Sequence, residues 1–415
     1  MKAEKSVYLE PSASTRPAWH TRLRAFLGLE RNIVVLLVAL VLLGSGEGLW
    51  MTFVPKYLEA LGAGVFVWTG YRTLKDLLDA IYQYPGGVLA DKLGRRRALV
   101  LFNLLAIFGY ALYLVGTHWS LILVGTLFVA AWSSMSLPAT FAVIGDSLAH
   151  RRRAIGFSVQ SILKRVPVII APTVGGWLMQ NLGVMNGFRV GVAVTILLAL
   201  GALAFQQKFY REPPLPRPLR PAGIQATFRA FHPGLKRLLV SDILARLAEG
   251  LPAALIVIYA TTNLGASLAL FGALYGLQML TAIIGYLPAG KLAERWGQHL
   301  FIALTFGFFA LFPLTFAIYP LLPGAEVTTF LIIAFVVGGL REIGEPARKG
   351  MIVDLAAENQ RGEVVGVYYL IRGLSVAAAP LVGGLLWTVS PQSTFAIAAG
   401  LGILGALWYI WRGPK

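Results

Sequence analysis

Twelve long apolar runs occupy most of this 415-residue chain, and they restrict it to one class of fold. Each run is longer than the roughly 18 residues that a helix needs to cross a hydrocarbon layer about 30 Å thick. The runs cover residues 33–59, 65–91, 96–116, 119–148, 154–180, 186–207, 238–262, 267–292, 298–320, 327–356, 362–388 and 392–411. Only 13% of the residues are charged, whereas a soluble protein carries about 25%. The sequence therefore predicts an all-α integral membrane protein with twelve transmembrane helices.

A basic, proline-rich stretch separates the sixth run from the seventh. It contains Arg-Glu-Pro-Pro-Leu-Pro-Arg-Pro within residues 208–237, and it cannot form a regular helix because proline has no amide hydrogen to donate. We therefore predict a cytoplasmic N-terminal segment at 1–32, a six-helix bundle at 33–207 and a cytoplasmic linker at 208–237. A second six-helix bundle follows at 238–411, with a short cytoplasmic tail at 412–415.

The two halves of the chain repeat each other at a nearly constant offset. Four landmarks recur in the same order: Glu47-Gly48 and Glu249-Gly250, Pro85 and Pro288, Pro138 and Pro346, and Pro172 and Pro380. The offsets are 202, 203, 208 and 208 residues. Internal repeats across apolar spans are typical of secondary transporters. We therefore predict that the two bundles are pseudo-symmetric.

The positive charges lie mostly on one side of the predicted spans. If the chain starts in the cytoplasm, 25 Lys and Arg are cytoplasmic, and at most three, Lys56, Arg72 and Arg189, are external. This bias follows the positive-inside rule and predicts that both termini are cytoplasmic. The net charge of +17 is thereby explained by membrane topology, and no nucleic acid is needed as a partner. We expect the protein in a bacterial inner (plasma) membrane, in contact with its lipids.

A short basic segment joins the second run to the third. It reads Gly-Val-Leu-Ala-Asp-Lys-Leu-Gly-Arg-Arg-Arg from Gly87 to Arg97, and a weaker copy runs from Gly290 to Gly297. The first copy matches the loop signature of the major facilitator superfamily at every specified position, and the chain resembles that superfamily over essentially its whole length. The resemblance implies a monomer with two six-helix bundles that rock around a central cavity. It also implies a latch between the bundles in the outward-open state, formed by Gly87, Asp91, Gly94, Arg95, Arg96, Glu294 and Arg295.

The fifth run adds a more specific resemblance. Pro172-Thr-Val-Gly-Gly is similar to part of the signature of drug–proton antiporters. The two earlier glycines of that signature are Pro167 and Ala171 in this chain. The fourth run also lacks the arginine that many of those antiporters carry, since no charge occurs between Trp119 and Gly145. The partial match implies export coupled to protons.

Thirteen ionisable residues lie well inside the apolar runs, where an uncompensated charge costs about 2.5 kcal/mol or more. They are Glu47, Lys75, Asp76, Asp79, Lys164, Arg165, Asp242, Arg246, Glu249, Arg341, Glu342, Glu345 and Arg372. Seven are acidic and six are basic, so we expect most of them to pair with each other or to face water. The third, sixth, ninth and twelfth runs carry few charges, which is similar to the superfamily's arrangement, with those helices flanking the cavity.

Some of these carboxylates are candidates for proton coupling, because a carboxylate in a low dielectric can bind a proton at working pH. The candidates are Glu47, Asp79, Glu249, Glu342 and Glu345. Structural ion pairing is the alternative, especially where partners are four residues apart on one helix face, as in Lys75–Asp79 and Asp242–Arg246. Arg348 and Lys349 lie nearer the inner end of the tenth run, and we interpret them as headgroup or gate residues.

Cations and aromatic residues in mid-run are candidates for substrate binding. They are Lys164, Arg165, Arg246, Arg341, Arg372, Trp132, Tyr259 and Tyr369. Pairing with acidic residues of the seventh or tenth run is the alternative for the cations. Packing between helices is the alternative for the aromatic residues, which are common in membrane helices.

These features predict a proton-coupled secondary transporter that moves a small organic molecule by alternating access, with efflux by proton antiport as the preferred reading. Uptake of an organic anion by proton symport is the first alternative, because the spans contain many cations. A membrane enzyme acting on lipids and a sensor or scaffold without transport are the others. The chain has no cysteine and no ATP-binding loop, and its five histidines are scattered. We therefore expect no metal and no cofactor other than the proton gradient.

Overall fold

The computed structural model describes residues 31–136, 150–212, 223–356 and 361–414, without the side chains of 91, 150–165, 286–287, 290–291, 294 and 361–362. The described chain is helical and forms twelve spans in two bundles, as predicted. Eight helices in it are long and apolar enough to cross a membrane on length and composition alone. Spans 2 and 7 fall short of that measure because charged residues interrupt them in mid-span.

The first half contains spans 1 to 6. Span 1 comprises Arg31–Gly48, the 3₁₀ turn Met51–Phe53 and Val54–Ala60, and span 2 comprises Val65–Ile81 and Gln83–Leu93. Span 3 is Arg95–Val115, span 4 is Trp119–Ala130 continued by the π-helical turn Ala131–Met135, span 5 is His150–Leu182, and span 6 is Val184–Phe209. We call the membrane face where span 1 begins the terminal face, and the other the opposite face.

The second half contains spans 7 to 12, after a short linker helix at Ile224–Arg229. Span 7 comprises Pro233–Gly250, Ile256–Ile258 and the π-helical turn Tyr259–Asn263, span 8 is Leu268–Trp296, and span 9 is Gln298–Ile318 with the 3₁₀ turn Tyr319–Leu321. Span 10 comprises Val327–Leu340 and Glu345–Asp354, span 11 comprises Arg361–Val376 and Ala379–Val389, and span 12 is Pro391–Arg412.

The repeat seen in the sequence is also present in the backbone. Gly94 ends span 2 with φ 85° and ψ 150°, and Gly297, 203 residues later, ends span 8 with φ 90° and ψ 141°. Residues with a side chain rarely adopt these angles, so glycine is required at both turns. Spans 1 and 7 are both interrupted directly after the matched glycines Gly48 and Gly250. Spans 4 and 10 are both irregular shortly before the matched prolines.

The bundles meet along two pairs of spans, 5 with 8 and 2 with 11. Span 5 is equivalent to span 11 and span 2 to span 8, so the pseudo-two-fold relation converts one contact into the other. Small residues make the contact close. A Cβ atom added to Gly272 or Gly276 of span 8 would lie 2.1 or 2.2 Å from a carbonyl oxygen of span 5, that of Pro172 or Ile169. Backbone therefore packs directly against backbone, as is common where membrane helices cross.

The linker is fastened to both bundles at its described ends. At its start, Asn32 and Arg211 exchange two hydrogen bonds of 2.8 and 3.0 Å, and the carboxylate of Glu212 caps the first turn of span 3. At its end, Glu363 of span 11 accepts hydrogen bonds from the amide of Gly223 at 3.1 Å and the hydroxyl of Thr227 at 2.7 Å. The start of the linker is thus attached to the first bundle, and its end is attached to the second.

Candidate functional site

A cavity of about 540 Å³ lies between the two bundles. Spans 1, 2, 4 and 5 form most of its wall, and spans 7 and 8 add a smaller part that includes Tyr275. Its volume is within the range of about 300–1,000 Å³ that is usual for small-molecule sites. The charged residues of the described wall are Glu47, Arg72, Lys75 and Asp79.

Glu47 lies where the first helix of span 1 ends and borders the cavity. The hydroxyl of Tyr110, from span 3, donates a hydrogen bond of 2.6 Å to its Oε1. Tyr110 is fully buried, and its ring lies edge-on to Trp50 with 5.9 Å between centroids. Trp50 in turn donates to Thr195 Oγ1 at 2.9 Å. Glu47 is therefore held at the border between the cavity and an aromatic core.

Span 2 contributes two ion pairs to the cavity wall. The Nε atom of Arg72 lies 3.0 and 3.1 Å from the two carboxylate oxygens of Asp76, and Lys75 Nζ lies 2.7 Å from Asp79 Oδ2. Ser134 of span 4 donates to the other oxygen of Asp79. The pair predicted between Lys75 and Asp79 is thus present, and neither cation of the wall is free of a carboxylate.

The π-helical turn Ala131–Met135 forms the part of the wall that comes from span 4. It places Trp132, Ser133 and Ser134 on the cavity. The sequence indicated Trp132 but missed the two serines, because a local widening of a helix leaves no periodic signal. They could have been found only by asking which small polar residues lie near the matched proline of span 4.

A network of buried charges lies in the second half, among spans 7, 10 and 11. Asp242 is 1% exposed and accepts hydrogen bonds from Arg348, from Tyr368 at 3.0 Å and from Arg372 at 3.5 Å. Arg348 is also 1% exposed, and its Nε and Nη2 atoms lie 3.0 and 2.6 Å from the two oxygens of Glu345. Arg348 therefore binds two carboxylates at once.

Arg246 joins this network to Glu249 and, through it, to Arg341. It lies 2.7 Å from Glu249 and 3.2 Å from Glu345, and its guanidinium sits 4.8 Å above the ring of Phe309. Arg341 lies 3.1 Å from the other oxygen of Glu249. The candidates Glu249, Glu345, Arg246 and Arg341 are therefore joined to each other.

The remaining candidates in this half lie around the same network. Glu342 lies in the turn at 341–344, and its amide donates a 3.2 Å hydrogen bond to Gly339 O. Tyr369 lies beneath Arg372, with 4.6 Å between the guanidinium carbon and the ring centroid. The predicted pair Asp242–Arg246 is present only as a 3.9 Å approach, because Arg348 takes the shorter contact with Asp242.

One interpretation from the sequence is corrected by this geometry. Arg348 does not lie among the lipid headgroups, since its side chain is buried at the centre of the network, whereas its neighbour Lys349 is 57% exposed. The partner Asp242 is 106 residues away in the chain, so local spacing could not indicate it. Tyr259 is not on the described cavity wall, because it packs edge-on against Phe395 with 5.1 Å between centroids.

Several candidates fall outside the described side chains. Lys164 and Arg165 lie on span 5, Asp91 on span 2 and Glu294 on span 8, and only their backbones are described. The predicted substrate contacts of the first two and the predicted latch role of the last two stay predictions. Arg295 lies exposed at the end of span 8.

The described part of the predicted latch makes contacts within the first half. The amides of Arg95 and Arg96 donate hydrogen bonds of 2.7 and 2.9 Å to the carboxylate of Glu212, and the Arg96 guanidinium donates to Gln207 O. A Cβ atom on Gly94 would lie 3.1 Å from the same carboxylate. Gly87 lies one to two turns before this cap, in span 2. The sequence did not indicate Glu212, which caps span 3 from 117 residues away.

At the opposite face, polar contacts join spans 1 and 7. Lys56 donates a 2.7 Å hydrogen bond to Thr262 Oγ1, which donates to Glu59 at 3.3 Å. Lys56 and Glu59 are themselves 2.5 Å apart. Beneath them, the rings of Phe53 and Phe271 meet edge-on with 5.9 Å between centroids. We call Lys56, Glu59 and Thr262 the polar clasp.

The chain resembles known proteins in sequence and in fold. The profile of the Major Facilitator Superfamily matches residues 36–245 and again residues 238–415. A tetracycline resistance protein, class H, from Pasteurella multocida is 24% identical over 398 residues, which cover 92% of this chain and 94% of that protein. The enterobactin exporter EntS from Shigella flexneri is 27% identical over 339 residues, or 77% of this chain and 76% of that protein. The crystal structure of the nucleoside transporter NupG superposes with a TM-score of 0.76 at 12% identity, covering 91% of this chain and 99% of that one.

Proposed function

The chain belongs to the major facilitator superfamily, and we propose that this membrane transporter exports a small organic molecule in exchange for protons. Two bundles around a central cavity are the parts that alternating access requires. The polar clasp joins the two bundles at the opposite face, which supports a state that is closed at that face. The observation that carries the proposal is the setting of Glu47 in the cavity wall.

Glu47 has a partner that tolerates a change of protonation. A tyrosine hydroxyl can donate to a carboxylate and can also accept from a carboxylic acid, so the contact with Tyr110 survives proton uptake. A guanidinium can only donate. Protonation of Glu249 or Glu345 would therefore weaken their contacts with arginine. This contrast supports Glu47 as the first proton carrier, with Asp79 and Glu342 as further candidates and Glu249 and Glu345 as counter-charges to the arginines.

The names of the relatives support export and an organic cargo, because one is a tetracycline resistance protein and another is an enterobactin exporter. Their bacterial origin supports an inner-membrane location. The Lys and Arg bias supports a cytoplasmic terminal face. In this arrangement the structure is closed to the outside, and substrate enters the cavity from the cytoplasm as Glu47 releases its proton there.

Coupling follows if substrate and proton exclude each other in the cavity. The bundles then move between the inward- and outward-open states with either a proton or the substrate bound. An inward flow of protons therefore drives an outward flow of substrate. Binding can shift a conformational equilibrium only by as much as the ligand prefers one state. The proton on Glu47 meets this condition when the carboxylate is open to water at one membrane face in one state and at the other face in the other state.

Uptake of an organic anion by proton symport is the second candidate, because Arg72 and Lys75 line the cavity. Each of these cations is already paired with a carboxylate of its own helix. The charged residues of the described wall also sum to zero, with two cations and two anions. This balance favours a substrate without net negative charge.

Reconstituted vesicles with an imposed pH gradient test the proposal. With tetracycline as the probe, we expect accumulation when the lumen is acidic, because protons then leave as the probe enters. The sign of the required gradient is independent of how the protein is oriented in the vesicle. Glu47→Gln should lose accumulation but keep exchange of probe without a gradient, while Glu326→Gln, an exposed helix cap, should behave as wild type.

Other results would assign another function. Accumulation of benzoate that is driven by acid outside the vesicle and exceeds that in protein-free vesicles would establish the symport alternative. Accumulation of either probe that ignores the sign of the pH gradient would refute proton coupling. Unchanged gradient-driven transport in Glu47→Gln would remove that residue as the carrier.

A further inference from the structure

Spans 4 and 10 are irregular at equivalent places in the two halves. The π-helical turn Ala131–Met135 precedes Pro138, and the turn at 341–344 precedes Pro346, with an offset of 208 residues between the prolines. Interrupted helices at matching positions of two repeats often form the binding site of a transporter. A π-helical turn is itself rare and is frequent at functional sites.

The two turns carry different chemistry at equivalent positions. The offset of 208 aligns Ser133 with Arg341 and Ser134 with Glu342. Arg341 is bound to Glu249 of span 7, at 3.1 Å. The charged turn of the second half is therefore engaged within its own bundle. The turn of the first half presents neutral hydroxyl groups to the cavity instead.

Ser133 has hydrogen-bonding capacity left for a ligand. Its described contacts are long, at 3.5 Å to Ala130 O and 3.4 Å to Ser134 Oγ. Ser134 donates its proton to Asp79 and so keeps an oxygen that can accept. The two serines together offer one donor and one acceptor at adjacent points of the wall.

Gly86 of span 2 fixes the position of the turn. A Cβ atom at this residue would lie 2.4 Å from the carbonyl oxygen and 2.5 Å from the Cα of Met135. No side chain fits there unless one backbone moves, so span 2 rests directly on the turn. The equivalent residue in the second half is Ala289, which shows that the close approach is particular to the first half.

The rest of the cavity wall adds aromatic surface and further neutral groups. Trp132, Tyr71 and Tyr275 supply rings, and Thr52 and Gln83 supply a hydroxyl and an amide. The charges of Arg72 and Lys75 are neutralised within span 2. Apart from the carboxylate of Glu47, a substrate therefore meets rings and neutral hydrogen-bonding groups.

We propose that the turn Ala131–Met135 is the recognition element of the cavity, and that Ser133 and Ser134 bind an aromatic substrate that is neutral or zwitterionic and rich in hydroxyl and carbonyl oxygens. The rings of such a molecule lie against the aromatic wall, and its oxygens exchange hydrogen bonds with the serines. This inference rests on the proposed transport function and gives it a substrate class.

Ligand-induced thermal stabilisation of the purified protein in detergent tests the inference. A ligand stabilises the folded state in proportion to the logarithm of its concentration over its Kd. Three aromatic probes separate the chemistries: tetracycline has several hydroxyl and carbonyl oxygens, ethidium is a cation without oxygen, and benzoate is an anion. We expect tetracycline to give the largest stabilisation.

Four variants locate the effect. Ser133→Ala combined with Ser134→Ala should weaken tetracycline binding about tenfold or more, since two hydrogen bonds are lost. Ser375→Ala, a serine of span 11 that is exposed and absent from the cavity wall, is the matched control. Gly86→Ala should also weaken binding, whereas Gly201→Ala, with no atom within 4 Å of its Cβ position, should not.

The melting temperature without ligand shows whether each variant is folded. If Gly86→Ala is not folded, the double serine variant alone tests the inference. Tetracycline affinity equal to wild type in the double serine variant would overturn the inference. Stabilisation by ethidium or benzoate but not by tetracycline would also overturn it. The measurement uses no proton gradient, so its failure is distinguishable from a failure of proton-driven export.

Discussion

Replacing Arg348 by methionine is expected to lower the free energy of unfolding by about 3 kcal/mol. Removing one partner of a buried ion pair typically costs about 3–5 kcal/mol, because the remaining charge is left buried without compensation. Arg348 binds Asp242 and Glu345, so two carboxylates lose a cation. Methionine is long enough to retain much of the packing, and the loss is therefore mainly electrostatic.

The remaining contacts explain why the lower end of this range applies. Asp242 keeps Tyr368 at 3.0 Å and Arg372 at 3.5 Å. Glu345 keeps Arg246 at 3.2 Å and Lys349 at 3.6 Å. Each carboxylate thus retains a cation, although at a longer distance than the one it loses.

Lys349→Met is the matched control, because this adjacent residue is 57% exposed and makes one contact of 3.6 Å with Glu345. Exposed ion pairs contribute about 0–1 kcal/mol. Equilibrium unfolding in mixed dodecylmaltoside and SDS micelles, followed by tryptophan fluorescence, measures both variants. Adding Asp242→Asn to Arg348→Met should recover part of the loss, since it removes one uncompensated carboxylate.

Equal destabilisation by the two methionine variants would refute this reasoning. The network would then be either hydrated or not needed for stability. No recovery by Asp242→Asn would show that the loss arises from packing and not from the carboxylate.

Three further predictions concern contacts outside the network. With Lys56→Cys and Thr262→Cys in this cysteine-free chain, a short bifunctional maleimide should join spans 1 and 7 at the opposite face and stop transport, and unchanged transport in cross-linked protein would contradict closure at the polar clasp. Glu212→Ala removes the cap of span 3 and should cost about 1–2 kcal/mol in the same unfolding assay, and a loss below the error of the assay would count against the cap. Hydrogen bonds from Thr329 and Thr328 lower the pKa of Glu326, outside the spans, from 4.5 to about 2. A lowered pKa stabilises the fold above the unfolded value, so Glu326→Gln should be less stable than wild type at neutral pH. The difference should disappear as the pH falls from 4.5 to about 2, and a difference that persists there would refute the electrostatic origin.

The fold was predictable from the sequence because the patterns that indicate it extend over many residues. Apolar runs and a repeat of about 200 residues survive many local irregularities, and the two turns at Gly94 and Gly297 confirm the repeat in the backbone. The pair Lys75–Asp79 was also predictable, since both partners lie on one helix face. Where two residues lie about one turn apart on the same helix, their spacing in the sequence is enough to predict the contact.

The network of buried charges in the second half was less predictable from the sequence. The charges that meet there come from spans 7, 10 and 11, and Arg348 and Asp242 are far apart in the chain. The position of Arg348 near the inner end of the tenth run suggested that it approaches the membrane surface, but its side chain is buried against Asp242 and Glu345. Tyr259 packs against Phe395 in the described structure, and its role in substrate binding stays a prediction.

The fastened ends of the linker set a limit on how far the bundles move. Glu212 belongs to the first bundle and Gly223 to the second, and ten residues lie between them. The eleven Cα-to-Cα steps from Glu212 to Gly223 reach at most about 40 Å when fully extended. The linker is therefore a tether of fixed maximum length, and while both anchors hold, chain length bounds the separation of the two bundles in every state of the transport cycle.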